Sequence, residues 1–162
     1  MLAKTMEKAL NRQVNREFYS AYLYLAMSAW FESQNLKGFA RWMRAQSREE
    51  RVHGEKIFDY VISRGGKVTL GAIEAPKDAW SSAGNVFEDV YSHEQKVTKM
   101  IHGLMELATK EKDPATLEML QWFVKEQVEE EASAGDVLAR IKGQGKSPDN
   151  IIGLDHEMGK RK

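Results

Sequence analysis

Proline stands at only three of the 162 positions, Pro76, Pro114 and Pro148, and between these and the paired glycines the chain keeps a helical period. So few breaks in so long a chain restrict it to an all-α fold built from a handful of long helices. A first helical segment runs from about Lys4 to Ser33 and is followed by Gln34-Asn35-Leu36-Lys37-Gly38. A second ends at Arg64-Gly65-Gly66, where glycine can take the left-handed conformation that closes a helix. A turn this short makes the two helices antiparallel neighbours. From Lys67 to about Ser82 the pattern breaks into Val68-Thr69-Leu70-Gly71 and Ala75-Pro76-Lys77, which is too long for a hairpin and predicts a crossover. A third helix covers about Ala83 to Glu111. Asp113-Pro114 then supplies a cap and a first-turn proline for a fourth helix that reaches Lys142 and stops at Lys142-Gly143-Gln144-Gly145. Ser147-Pro148-Asp149 repeats that signal before a short segment from Asn150 to about Met158, with Ile151, Ile152 and Leu154 as its apolar face. That segment is too short to be stable alone.

Four helices of nearly equal length, one long middle connection and a short fifth helix match the ferritin-like arrangement among four-helix bundles, in one domain spanning 1–162. Equal numbers of basic and acidic residues, 24 each, give no overall charge that would recruit nucleic acid or an anionic membrane. The absence of cysteine removes disulfides, thiolate metal sites, covalently attached haem and cysteine nucleophiles. No run approaches the roughly 18 apolar residues of a membrane helix, and the expectation is a soluble, cytoplasmic protein.

When the apolar stripe of each helix is laid out at spacings of three and four, every stripe is interrupted by acid. The rows are Leu10, Val14, Glu17, Ala21, Tyr24, Ser28; then Phe39, Met43, Gln46, Glu50, His53, Ile57, Tyr60; then Phe87, Val90, Glu94, Val97, Ile101, Leu104, Ala108; and Leu120, Phe123, Gln127, Glu130, Ala134, Val137, Ile141. With helix midpoints at about residues 19, 51, 97 and 128, each inward polar group lies within about three residues of its helix centre, or about 4.5 Å along the axis. They form one layer. Burying a carboxylate costs several kcal/mol, and four facing one another also repel, so such a layer calls for cations. Oxygen ligands with one imidazole suit iron or manganese, and Glu50-Arg51-Val52-His53 has the Glu-x-x-His spacing that sets two ligands on one helix face.

The sequence resembles the non-haem ferritins of bacteria and archaea along essentially its whole length. The resemblance is carried by Leu10-Asn-Arg-Gln-Val-Asn-Arg-Glu17, Tyr19-Ser-Ala-Tyr-Leu-Tyr-Leu25, Lys37-Gly-Phe-Ala-Arg-Trp-Met43 and Trp122-Phe-Val-Lys-Glu-Gln-Val-Glu-Glu-Glu131. It implies that Glu17, Glu50 and His53 hold one iron, and that a bridging Glu50 with Glu94 and Glu130 holds a second. It further implies a third, more exposed iron position from Glu49, Glu126 and Glu129, oxidation of ferrous iron by dioxygen or peroxide, and a cage of twenty-four subunits that accumulates ferric mineral. Gln127 would stand beside the irons, and Tyr24, on the same stripe as Glu17, could supply an electron or simply pack. Haem is not expected, because Arg51 stands where the haem-binding relatives place methionine.

Blander readings accompany these. Glu49, Glu126 and Glu129 would ordinarily form a solvated acidic face, and Gln127 would hydrogen-bond a ligand carboxylate. His93, His102 and His156 read as surface histidines. Gly54 departs from the alanine expected after His53 and costs about 1 kcal/mol of helix stability. A helical scaffold with polar core layers, or a di-iron oxidase acting on an organic substrate, are the competing functions.

Overall fold

The computed structural model describes residues 1–144 and 147–161. It contains α1 (Lys4–Ser33), α2 (Lys37–Ser63), α3 (Ala83–Lys110), α4 (Pro114–Gly143) and α5 (Pro148–Met158), and no strand among the described residues. The local signals act as read. Gly65 takes φ 74 after α2. The Asp113 carboxylate accepts from Thr116 N at 3.1 Å and opens α4 with Pro114 in its first turn. Gly145 of the expected α4 stop lies outside the described residues.

The α1–α2 hairpin packs beside the α3–α4 hairpin. The Phe87 ring near the start of α3 lies 5.7 Å from Phe39 near the start of α2. At the far end, Arg64 after α2 bonds Asp113 after α3 at 3.2 Å. These two helices therefore run parallel, and residues 64–82 traverse the length of the bundle. The crossover is held by α1: Asn11 donates to Lys67 O at 2.9 Å and accepts from Thr69 N at 2.8 Å, while Asn15 donates to Ala72 O at 3.1 Å. These side chains satisfy backbone groups that no sheet or helix would.

Two apolar clusters make up the core. One gathers Met27, Phe31, Phe39, Met43 and Phe87, together with Leu154 and Met158 of α5. The other gathers Met6, Leu10, Ile57, Ile101, Leu120 and Phe123. The helix α5 docks on α2, where the Asp155 carboxylate accepts from Phe39 N at 2.8 Å. Only glycine fits at position 38, since a Cβ there would lie 1.6 Å from Asp155 O.

Two expectations for α5 are corrected. The helix begins at Pro148 rather than Asn150, because a proline at the first helical position gives up an N–H that has no intrahelical acceptor in any case. Ile152 is 60 % exposed rather than part of the docking face. Leu154 and Met158 are buried and Ile151 is half-buried, and this face turns the residue after Ile151 about 100° away. No helix among the described residues is long and apolar enough to cross a membrane.

Candidate metal centre

Between the two apolar clusters lies a polar layer. Glu17 from α1, Glu50 and His53 from α2, Glu94 from α3, and Gln127 and Glu130 from α4 are all buried. One ligand atom each from Glu17, Glu50 and His53 falls within 4.8 Å of the others, and the same holds for Glu50, Glu94 and Glu130. Glu50 belongs to both groups, so the two potential cation positions share one carboxylate.

The hydrogen bonds fix these acids without neutralising them. Gln13 donates to Glu17 Oε1 at 2.9 Å. Gln46 donates to Glu50 Oε1 at 3.0 Å and to Glu130 Oε2 at 2.7 Å. Gln127 donates to Glu94 Oε2 at 3.1 Å, and the buried Tyr24 hydroxyl donates to Glu94 Oε1. His53 Nδ1 lies 3.2 Å from Glu50 Oε2, with the ring edge-on to Trp122 and Phe123. Three neutral amides thus orient four carboxylates, and among the described residues no lysine or arginine is buried with them. Glu17 Oε2 is buried and finds no hydrogen-bond partner among the described residues. A native core leaves few polar atoms orphaned, and this one belongs to a residue of the first ligand group.

The electrostatic consequence is a set of reluctant anions. Burial, then the Glu50 carboxylate, pushes the Glu17 carboxyl well above its ordinary range. Glu50 is raised by burial and by Glu94 and Glu130, and Glu94 is raised by burial. Glu130 is pushed up to about 7 by burial and then by Glu94. The Tyr24 phenol is likewise raised by burial and by Glu94. Each shift records a charge that low-dielectric surroundings disfavour and that a cation would stabilise. The donor set, carboxylate oxygen with one imidazole nitrogen, fits iron or manganese.

Glu49, Glu126 and Glu129 do line one cavity of about 550 Å³, with His53 and Glu130 on its wall. The compact group, however, is His53, Glu126 and Glu130; Glu126 Oε2 is 3.8 Å from His53 Nε2. Glu49 and Glu129 are exposed and stand outside that group. Glu49 instead pairs with Arg161 at 2.9 Å.

His102 and His156 are exposed as expected, but His93 is not a surface residue. It is half-buried, its Nε2 lies 2.7 Å from Ser20 Oγ, and its ring packs against Tyr19 and Tyr24. Burial, then Lys96, lowers its pKa to about 4. Its place three residues after Val90 and four before Val97 sets it on the flank of the α3 stripe, a signal the sequence did carry. Gln13 and Gln46, which the apolar stripes do not mark as site residues, each precede a site glutamate by four residues on the same helix face. Gly54 also has a reason: a Cβ there would lie 2.5 Å from the Phe18 ring. Arg51 is exposed and pairs with Glu55 at 3.0 Å.

Residues 7–143 match the family model for the ferritin-like domain. A bacterial non-haem ferritin of Bacteroides fragilis is 40% identical over 99% of this chain and 100% of its own length. One from Staphylococcus saprophyticus is 48% identical over 82% of this chain and 79% of its own. Among solved structures, an open-pore ferritin of the hyperthermophilic archaeon Archaeoglobus fulgidus superposes with a TM-score of 0.99 at 50% identity, covering 100% of both chains. A form of that ferritin engineered to be closed superposes equally well. A helical bundle with an acid layer at its middle, matched at full length by non-haem ferritins, places this chain in the ferritin family, in its bacterial and archaeal non-haem branch.

Proposed function

We propose that the chain stores iron, oxidising ferrous ions at the buried carboxylate pair site and depositing ferric oxyhydroxide inside a cage of identical subunits. The observation that carries this reading is the pair of overlapping ligand groups sharing Glu50, set among buried acids with no buried lysine or arginine beside them among the described residues. Glu17, Glu50 and His53 would take one ferrous ion, and Glu50, Glu94 and Glu130 the other. Each ferrous ion gives up one electron to dioxygen or peroxide. Hard anionic oxygens bind the ferric product more tightly than the ferrous substrate, which lowers the potential and favours oxidation. Gln13, Gln46 and Gln127 hold the carboxylates in place while leaving their charge for the ions. Tyr24 holds Glu94 through its hydroxyl and is the residue beside the site that would donate an electron.

The glutamate-lined cavity beside His53 provides a route by which oxidised iron leaves toward a mineral. The likeness to the non-haem ferritins supports assembly into a cage of twenty-four subunits and a cytoplasmic location. Glu50→Ala tests the reading directly, because it removes the ligand common to both positions. Fast ferrous oxidation, followed by ferric absorbance after rapid mixing, should be lost while the helical circular dichroism persists. Unchanged kinetics would refute the assignment.

A further inference from the structure

The tail of the chain brings Arg161 to the cavity at the mouth of the carboxylate centre, where Arg48 of α2 also lines the wall. After α5, Arg41 donates to Gly159 O at 3.3 Å, and Gly159 lies against Gly38, so the tail is held on the exposed face of α2. From there the Arg161 guanidinium lies 4.4 Å from the centroid of the Trp42 ring. It donates to Gln46 Oε1 at 2.9 Å and lies 2.9 Å from Glu49 Oε1. Trp42, Gln46 and Glu49 follow one another at spacings of four and three, so a single stripe of α2 receives the whole side chain.

Two consequences follow. Because Gln46 Oε1 is engaged by Arg161, its amide nitrogen is directed at Glu50 and Glu130, and the arginine thereby fixes the donor that orients two site carboxylates. Because Glu49 is engaged as well, it stays out of the compact group of His53, Glu126 and Glu130 in the same cavity.

We propose that Arg161 is a built-in competitor for the outer cation position: it occupies Glu49 until a metal ion in the cavity displaces it, and so weakens metal retention there and favours onward transfer. The inference rests on the pair-site reading above, and its test separates the two. Zinc ion, which takes oxygen and nitrogen ligands without redox chemistry, is titrated calorimetrically into the assembled apo protein, its Arg161→Gln and Arg161→Lys variants, and Glu49→Gln with and without Arg161→Gln.

The expected parent trace shows pair-site binding followed by a weaker outer event. Arg161→Gln should tighten the outer event about tenfold, the scale of one charge-assisted hydrogen bond. Arg161→Lys should stay near the parent, and the gain should vanish on the Glu49→Gln background. A parent that binds no zinc in the bundle overturns the pair-site reading, and this inference with it. Intact pair-site binding with no tightening in Arg161→Gln overturns the role of Arg161 alone. Equal tightening in the Lys and Gln variants also overturns it, because packing on Trp42 rather than charge would then be the cause.

Discussion

Where Phe31, Phe39 and Phe87 meet, the rings lie 5.0 to 6.3 Å apart and are fully shielded from solvent. About two to three turns along α2 and α3, Glu50 and Glu94 are buried as fully, and with Glu130 of α4 they crowd carboxylates together with their pKa values raised. The first region gains free energy from burial and dispersion, while the second loses it through desolvation and repulsion. The apolar ends hold the bundle together and the acid middle is carried by them. Fold stability and metal chemistry therefore reside in separate layers of one core and should respond to different perturbations.

The largest expected effect is on the apolar side. Phe87→Ala should cost about 3 to 5 kcal/mol in denaturant unfolding of the apo protein, and the folded fraction should still oxidise ferrous iron at the parent rate. A matching loss of oxidation would mean that the layers are not separable.

The acid layer should respond to pH in the opposite sense from an ordinary ion-paired core. The folded pKa of Glu130, about 7, lies above its ordinary value of 4.5, so the folded state binds more protons across that window. Apo stability should then fall as pH rises from about 4.5 to about 7, by at most about 3 kcal/mol from this group, and be fully present below the window. Zinc should reverse the trend, since it competes with those protons and binds better as they leave. Thermal unfolding across this pH range, with and without zinc, measures both slopes; a flat apo profile would place the acids in a wetter setting.

The smallest effect concerns the seam between the layers. Gly54→Ala should gain helix propensity yet lose about 1 kcal/mol overall, because the added methyl group meets the Phe18 ring at 2.5 Å. A net gain in unfolding free energy would show that Phe18 swings aside.

Helix period and breakers made the five helices and the crossover legible, and the common depth of the stripe-breaking acids made the layer legible. Membership of that layer needed only that each glutamate lie on an inward stripe near a helix centre. What escaped depends on contacts between elements. Ile152 and Ile151 look equivalent until α5 is docked, when one face turns toward the core and the other toward solvent. His93 lies at the edge of its stripe, where burial is decided by Tyr19 and Tyr24 on α1 rather than by α3. Arg161 reads as one tail cation among several, and only the path of the chain after α5 brings it to Gln46 and Glu49. Gln13 and Gln46 differ in kind, because their four-residue spacing to Glu17 and Glu50 is present in the sequence itself.

The most direct test of iron storage at a buried oxidation site adds a large molar excess of ferrous ions to the apo protein in air and follows iron and protein together through size exclusion. Bulk iron co-eluting with a particle far larger than one 18.5 kDa chain is the expected result. A small species retaining only enough iron to fill the pair site, with the rest precipitated, would contradict storage and leave a di-iron oxidase.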